Sequence, residues 1–294
     1  MNRGVLYAIA AYVLWGLLPV YWKWLQHIPA LEVLCHRIVW SFFLLACTIA
    51  LTGRWERLRR DLSSTRVLCT YMVAGVLIAL NWLTYIWAVG AGFILDTSLG
   101  YYINPLLSVL IGVVILRERL RPVQWAAIAL AAAGVCYLWA AHGSLPWIAL
   151  ILATSFGLYG LVKKIAPLGS LQGLTVETAV LLLPALAFLA YSGQADQSVS
   201  PHTGFVSGIL LVGTGLITMV PLLLFSSAAR RIDLSLLGVI QYIAPSMQFV
   251  LGVFVYHEPF TRERLIGFVI VWTALAIYAA EGYVSRRSRA VPIA

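Results

Sequence analysis

The sequence predicts an all-α integral membrane protein: ten transmembrane helices arranged as two inverted five-helix repeats. Three observations predict it. Of 294 residues, 62% are hydrophobic and only 11% charged, with a mean hydropathy of +0.91. Soluble domains carry roughly 25% charge, so this chain cannot cover itself with polar surface and needs lipid as its solvent. Apolar runs of the ~20 residues that a spanning helix requires recur along the chain with mostly short breaks. The two halves also repeat each other. Ser98-Leu-Gly-Tyr-Tyr-Ile-Asn-Pro105 reappears as Gln241-Tyr-Ile-Ala-Pro245, and each proline stands 13 positions before a glutamate, Glu118 and Glu258.

Taken in order, span 1 covers 4–25. Its basic start resembles a signal peptide, but the run is too long and no small-x-small cleavage site follows promptly, so it is an uncleaved first span. Spans 2 (33–52) and 3 (68–89) flank a basic connection, and span 4 (97–116) carries the first proline motif. Span 5 (123–141) is rich in alanine; spans 6 (145–164) and 7 (172–191) open the second half. Span 8 (205–228) follows the long connection 192–204, span 9 (235–256) carries the second proline motif, and span 10 (265–284) is again alanine-rich. No linker is long enough to suggest a separate soluble domain.

Lysine and arginine set the orientation. With the N-terminus inside, 16 of the 20 fall on the inner side, among them Arg54 to Arg66, Arg117 to Arg121, Lys163 and Lys164. Lys23, Arg37, Arg262 and Arg264 stay outside, and both termini are cytoplasmic. The +9 net charge is spread over such loops and forms no single patch, which argues against a nucleic-acid partner. A shift of 140 aligns Gly75 with Gly215, Tyr85 with Phe225 and Pro105 with Pro245; a shift of 141 aligns Trp15-Gly16 with Phe156-Gly157 and Lys23 with Lys164. Repeats of five helices, 1–142 and 143–294, start from opposite sides of the membrane and are therefore inverted.

Proline inside a helix frees the carbonyl four residues earlier, here those of Tyr101 and Gln241. An unsatisfied carbonyl in hydrocarbon costs several kcal/mol, so such a site must face protein or a wet cavity. Matching breaks at Pro105 and Pro245 are the sequence-level pointer to a transport site.

Several motifs resemble one family. Ala11-Tyr-Val-Leu-Trp-Gly16, His36-Arg-Ile-Val-Trp-Ser-Phe42, Asn81-Trp82, the two proline motifs, Gly143-Ser-Leu-Pro-Trp147 and Ser155-Phe-Gly-Leu-Tyr-Gly160 are similar to the RarD proteins. Those are bacterial EamA-type members of the drug/metabolite transporter superfamily, and the match covers nearly the whole chain. The resemblance implies a transporter of the bacterial inner membrane, with a central cavity among spans 1–4 and 6–9 and with spans 5 and 10 peripheral. The family label refers to chloramphenicol sensitivity and fixes no physiological cargo.

Candidate substrate-binding residues are Trp15, Lys23, His36, Arg37, Trp40, Asn81, Tyr101, Asn104 and Gln241. Lys23, His36 and Arg37 could clamp an anionic group or, for Lys23 and Arg37, snorkel to headgroups. Tyr101, Asn104 and Pro105 share a helix face; Tyr102 points elsewhere and reads as packing. Asn81 either lines the cavity or joins helices. Glu177, the acid furthest inside an apolar run, is a proton-coupling candidate or the partner of a buried cation. Trp22, Trp24, Trp55, Trp125, Trp139 and Trp147 lie at span ends and read as interfacial anchors. Trp15, Trp40, Trp82 and Trp87 are deeper and could stack on cargo. The charges around Glu118 and Glu258 read as solvated caps and ion pairs.

No phosphate-binding loop is present, so the chain hydrolyses no ATP. No HExxH, GxSxG or nucleophile–base set supports an enzyme, and no ring of like charges supports a channel. Cys35, Cys47, Cys69 and Cys136 have no metal-ligand spacing and read as inert hydrophobes; neither metal nor cofactor is expected. The expected partners are membrane lipid and a small-molecule substrate. The small residues of spans 5 and 10 suit close helix contact, within the chain or in a homodimer.

Overall fold

The computed structural model describes residues 2–61, 64–90, 94–142, 147–194, 204–255 and 262–290. They form helices only: α1 (Arg3–Trp24), α2 (Ala30–Leu51), α3 (Trp55–Asp61), α4 (Thr65–Gly90), α5 (Ile94–Val114), α6 (Pro122–His142), α7 (Trp147–Ile165), α8 (Ser170–Gln194), α9 (Phe205–Ala229), α10 (Leu234–Gln241), α11 (Ile243–Val250), a π-helical turn over Leu251–Val255, and α12 (Arg262–Ala290). Among the described residues eight helices are long and apolar enough to cross a membrane: α1, α2, α4, α6, α7, α8, α9 and α12. The chain is a multi-pass membrane protein. The two expected spans outside those eight are the ones that carry the paired prolines.

The two prolines act differently. Helix α5 runs through Pro105 without interruption, whereas the second motif splits its span between Gln241 and Ile243. Pro19, Pro184 and Pro221 also sit inside helices α1, α8 and α9. A proline within a span is thus common in this chain, and the expected break at Pro105 is absent because the helix absorbs the lost bond. The connection 53–67, read as a loop, contains the short helix α3. Its Leu58 is buried with Ile49 and Tyr71, so α3 is pinned to the bundle by one apolar contact.

Helix ends are closed by identifiable groups. Asn2 accepts from the Gly4 N–H at 2.9 Å and starts α1. Helix α10 is capped from a distance: the Glu118 carboxylate accepts from Leu234 N (2.6 Å), Ser235 N (2.9 Å) and Ser235 Oγ (2.6 Å). An anion at a helix N-terminus meets orphan N–H groups and the positive end of the dipole. Arg117 takes φ 56°, a left-handed turn that swings the chain out of α5 and aims Glu118 back at α10. The close approach requires Gly112, where a Cβ would lie 2.5 Å from Glu118 Oε2. Glu118 was expected to be a solvated cap; it is a cap, but of another helix.

Helix α5 packs on α7 and α10, α1 on α9 and α11, α2 on α8 and α9, and α4 on α7 and α8; α6 and α12 pack together. In that last pair Gly134 meets Ile270 and Val271, and Gly267 meets Leu138, so these glycines serve contacts within the chain. The bundle has two distinct ends. At one, Tyr21 near the end of α1 donates to the Leu210 carbonyl (2.5 Å) near the start of α9, and His27 reaches Ser207. At the other, Gly4 abuts Arg231 and Ile232, Lys164 donates to the Ile232 carbonyl (2.6 Å), and Arg230 donates to the Ala166 and Leu168 carbonyls. These are the α1–α2 end and the α7–α8 end. Arg3, α3, the Arg117–Arg121 loop and the α9–α10 turn gather at the second, which is the basic one.

Candidate functional site

Near the α1–α2 end, Arg37 of α2 projects into the bundle. Its guanidinium carbon lies 4.9 Å from the centroid of the Trp22 ring (α1) and 4.7 Å from that of Trp82 (α4). Its Nε donates to Thr218 Oγ1 of α9 at 2.9 Å. Tyr85 and Tyr101, with ring centres 6.0 Å apart, are near enough for their hydroxyls to feel the Arg37 charge. Arg37, Trp22, Trp82, Tyr85 and Tyr101 are all half-buried. Helices α1, α2, α4 and α5 thus supply one cation and four aromatic side chains in one half-buried cluster, to which α9 adds the Thr218 hydroxyl. An arginine so placed presents flat faces to the indoles and N–H edges to whatever lies in the plane.

About 10 Å along α1 from Trp22, at 1.5 Å per residue, Trp15 begins an aromatic column. Its ring lies 5.4 Å from Tyr12, 5.8 Å from Phe156 and 5.6 Å from Phe225. Phe225 stacks on Tyr159 at 5.9 Å with the planes 9° apart. Trp15 is half-buried, while Tyr12, Phe225 and Tyr159 are sealed.

The column ends in a buried ion pair near the α7–α8 end. Lys163 Nζ lies 2.6 Å from Glu177 Oε1, and the side chains are 2% and 1% exposed. The Tyr159 hydroxyl donates to Glu177 Oε2 at 3.0 Å. The Lys163 ammonium sits 5.8 Å and 5.6 Å from the ring centroids of Tyr71 and Tyr159. Tyr71 in turn accepts from Leu168 N at 2.9 Å, tying α4 to the α7–α8 turn. Each ion has its counter-charge and a ring or hydroxyl besides, which is what a buried charge needs to be tolerated.

Arg37, Tyr101 and Trp15 therefore border the partly open half, and Glu177 lies at the closed end. The carboxylate found its buried cation in Lys163, which the sequence placed at the inner end of span 6 among the cytoplasmic basic residues. Lysine is long and reaches water from most helix ends, so only the carboxylate across the α7–α8 turn distinguishes this one. Asn81 bonds across to α7, its Nδ2 donating to the Leu152 carbonyl (2.9 Å) and Ser155 Oγ (3.0 Å), so its amide nitrogen joins helices. Trp40 packs edge-on against the exposed Phe43 at 6.3 Å and lies against Gly215 of α9. Lys23 is exposed in the last turn of α1. His36 keeps a buried Nε2 without a hydrogen-bond partner among the described residues, and the buried Asn104 likewise leaves Oδ1 unpaired. Gln241 is buried and accepts from Tyr12 at 3.5 Å. Pro105 and Pro245 are both buried, and the Pro105 carbonyl lies 2.8 Å from where a Cβ on Gly238 would be.

Three assignments change. Trp22, read as an interfacial anchor, caps Arg37. Trp87, read as deep, is 51% exposed beside Trp147. Glu32, which the sequence reading passed over, is buried in the first turn of α2; its position next to the loop gave no signal of that. Tyr102 packs against Tyr242, whose hydroxyl donates to the Tyr102 carbonyl at 3.1 Å. His257 and Glu258 lie outside the described residues.

The EamA-like transporter family model matches this chain twice, over residues 2–140 and 145–280. The RarD protein of Streptomyces exfoliatus is 44% identical over 290 residues, covering 98% of this chain and 92% of its own. The transporter YojE of Bacillus subtilis is 43% identical over 280 residues, covering 94% and 93%. A crystal structure at 19% identity aligns with a TM-score of 0.70 over 94% of this chain and 97% of that one, a likeness of fold. Apolar helices, with charged groups buried at both ends of an aromatic column, and full-length relatives agree: the chain belongs to the EamA-like transporter family, alongside the RarD proteins.

Proposed function

We propose that the chain is a secondary transporter of the bacterial inner membrane, moving a small amphipathic metabolite or drug-like molecule by alternating access. Ten spans form two inverted repeats, 1–142 and 143–294, with both termini in the cytoplasm; α10, α11 and the π turn together make span 9. The cargo sits against Arg37, Trp15 and Tyr101, entering or leaving through the α1–α2 end. Glu177 with Lys163 closes the cytoplasmic side.

Helix pairing supports the repeats. Exchanging α1, α2, α4, α5 and α6 for α7, α8, α9, α10–α11 and α12 turns the α5–α7 contact into α1–α11, α1–α9 into α4–α7, and α2–α9 into α4–α8. The tight crossings obey the same exchange. A Cβ on Gly16 would meet Met247, and one on Gly157 would meet Leu107; Gly75 abuts Val180, and Gly215 abuts Trp40. Shifts of 140 and 141 carry each of these positions onto its mate. Orientation rests on the gathering of basic loops at the α7–α8 end.

The observation that carries alternating access is an asymmetry along one axis. The α1–α2 end holds half-buried aromatic and cationic groups, while the equivalent α7–α8 end is sealed by an ion pair 1–2% exposed. Two like halves packed unalike describe one state of a two-state machine. Purified protein in liposomes loaded with unlabelled substrate should give saturable counterflow of the labelled compound. Flux that never saturates would make it a channel. Tags within 117–121 and at residue 262 should report opposite faces; the same face for both would end the inverted arrangement.

A further inference from the structure

We infer that the cargo carries a carboxylate on an aromatic or otherwise flat apolar body, and that Arg37 binds that carboxylate. The inference rests on the transporter reading and adds the chemical class of its substrate. Equivalent positions at the two ends of the bundle carry it. A shift of 141 takes Trp22 to Lys163 and His36-Arg37 to Glu177-Thr178. At the α7–α8 end these positions hold a cation and a carboxylate, paired at 2.6 Å. At the α1–α2 end they hold a cation only.

Arg37 is engaged through Nε by Thr218, and its guanidinium carbon lies over the rings of both Trp22 and Trp82. Its terminal N–H edge has no hydrogen-bond acceptor and no carboxylate partner among the described residues. Glu32, the buried acid at that end, acts electrostatically on Cys35 and His36 of its own helix. A guanidinium half-withdrawn from water with its fork unfilled is built for a planar anion, which it binds through two parallel hydrogen bonds. Thr218 holds the group from behind, so the fork is pre-set rather than assembled on binding. The walls beside the fork are Tyr85 and Tyr101, and the floor about 10 Å deeper is Trp15. Rings on that scale select an apolar, flat body over a polyol or a polyamine, and a second cation in the ligand would meet Arg37 repulsively.

The test uses full-length protein in detergent and three aryl carboxylates: benzoate, phenylacetate and indole-3-acetate. Each is compared with its neutral carboxamide by thermal shift and by quenching of tryptophan fluorescence. At least one acid should bind, and its amide about tenfold more weakly or worse, as loss of a charge-assisted bidentate contact implies. Arg37→Gln should erase the acid-over-amide preference, and Arg37→Lys should retain part of it. Should Arg37→Gln fail to fold, the acid–amide comparison on the unaltered protein decides alone. Amides binding as well as their acids, or no acid binding, would overturn the inference. Counterflow separates the two claims. Acid binding through Arg37 without counterflow would keep this inference and remove the transporter reading; counterflow of a neutral cargo undiminished in Arg37→Gln would do the reverse.

Discussion

Replacing Glu177 by glutamine tests whether the α7–α8 end is truly dry. The Lys163–Glu177 pair has one 2.6 Å contact, a second hydrogen bond from Tyr159, and almost no exposed surface. Removing one partner strands the other charge in low dielectric, which costs about 3–5 kcal/mol. Glu177→Gln and Lys163→Met should each lose stability of that order. Tyr159→Phe removes only a hydrogen bond to a charged acceptor, about 1.5–3 kcal/mol. The decisive variant is the double one. Lys163→Met with Glu177→Leu removes both desolvation penalties with the Coulomb attraction, so it should return to within about 1 kcal/mol of the parent or exceed it. Reversible unfolding in mixed micelles, followed by tryptophan fluorescence, gives the free energies of all four variants relative to the parent; adding the Glu177→Leu single variant closes the cycle and gives the coupling. Additive losses, with the double variant worse than either single one, would mean the two groups are solvated separately. Singles within about 0.5 kcal/mol of the parent would mean that water reaches the pair and the seal does not exist.

Four further outcomes follow from the packing, each read by the same unfolding assay. Glu118→Ala leaves two N–H groups of α10 and the Ser235 hydroxyl without their acceptor, and should cost about 1–2 kcal/mol, the range for loss of a helix cap. Gly16→Ala places a Cβ 2.8 Å from the Met247 Cβ where α1 crosses α11; overpacking of this kind costs about 1–3 kcal/mol. Gly208→Ala in α9 meets nothing within 4 Å and should gain up to about 1 kcal/mol from helix propensity, so equal effects at the two glycines would refute the crossing. Asn81→Leu gives up its bonds to Leu152 and Ser155 and should cost about 0.6–1.7 kcal/mol, as interhelical bonds in membranes do.

Much of the architecture was legible because the bilayer leaves few choices. A run of twenty apolar residues must be a helix when no water can satisfy its backbone, and boundaries such as 4–25 against Arg3–Trp24 fall within a residue or two. Of the candidate site, the sequence marked two charges: Glu177, because it sits inside an apolar run, and Arg37, because it is one of only four basic residues left on the outer side. What surrounds them did not. Trp22 is indistinguishable from an anchor until α2 is docked beside it, since its partner is fifteen residues away and its role depends on which way α1 faces. Lys163 next to Lys164 reads as a basic pair closing the inner end of a span; one turns into the bundle and the other stays 21% exposed, within 3.8 Å of Glu118. Periodicity cannot separate adjacent lysines, because only the position of α8 decides between them. Helix α3 escaped because seven residues with five charges carry no apolar signal beyond Trp55 and Leu58.

The paired prolines mark a helix crossing, though not through broken hydrogen bonds. Proline is found inside α1, α5, α8 and α9 alike, and one of the two expected breaks is not a break, so lost hydrogen bonds alone do not mark the centre. What marks it is the crossing. Gly238 of α10 lets the Pro105 carbonyl of α5 approach, and Glu118 at the end of α5 caps α10 from below. Helices α5 and α10 are therefore bound together at two levels, near the middle and at the basic end. The aromatic column and both charged groups, by contrast, are built chiefly from α1, α2, α4, α7, α8 and α9. Under the proposed alternating access, the α5–α10 seam would be what those six helices rock against. Opening the α7–α8 end would part Lys163 from Glu177 and expose both to water, which hydrates them and offsets the loss of their attraction. A pair of that kind can hold an end shut without making it costly to open, which an apolar plug of the same size could not do.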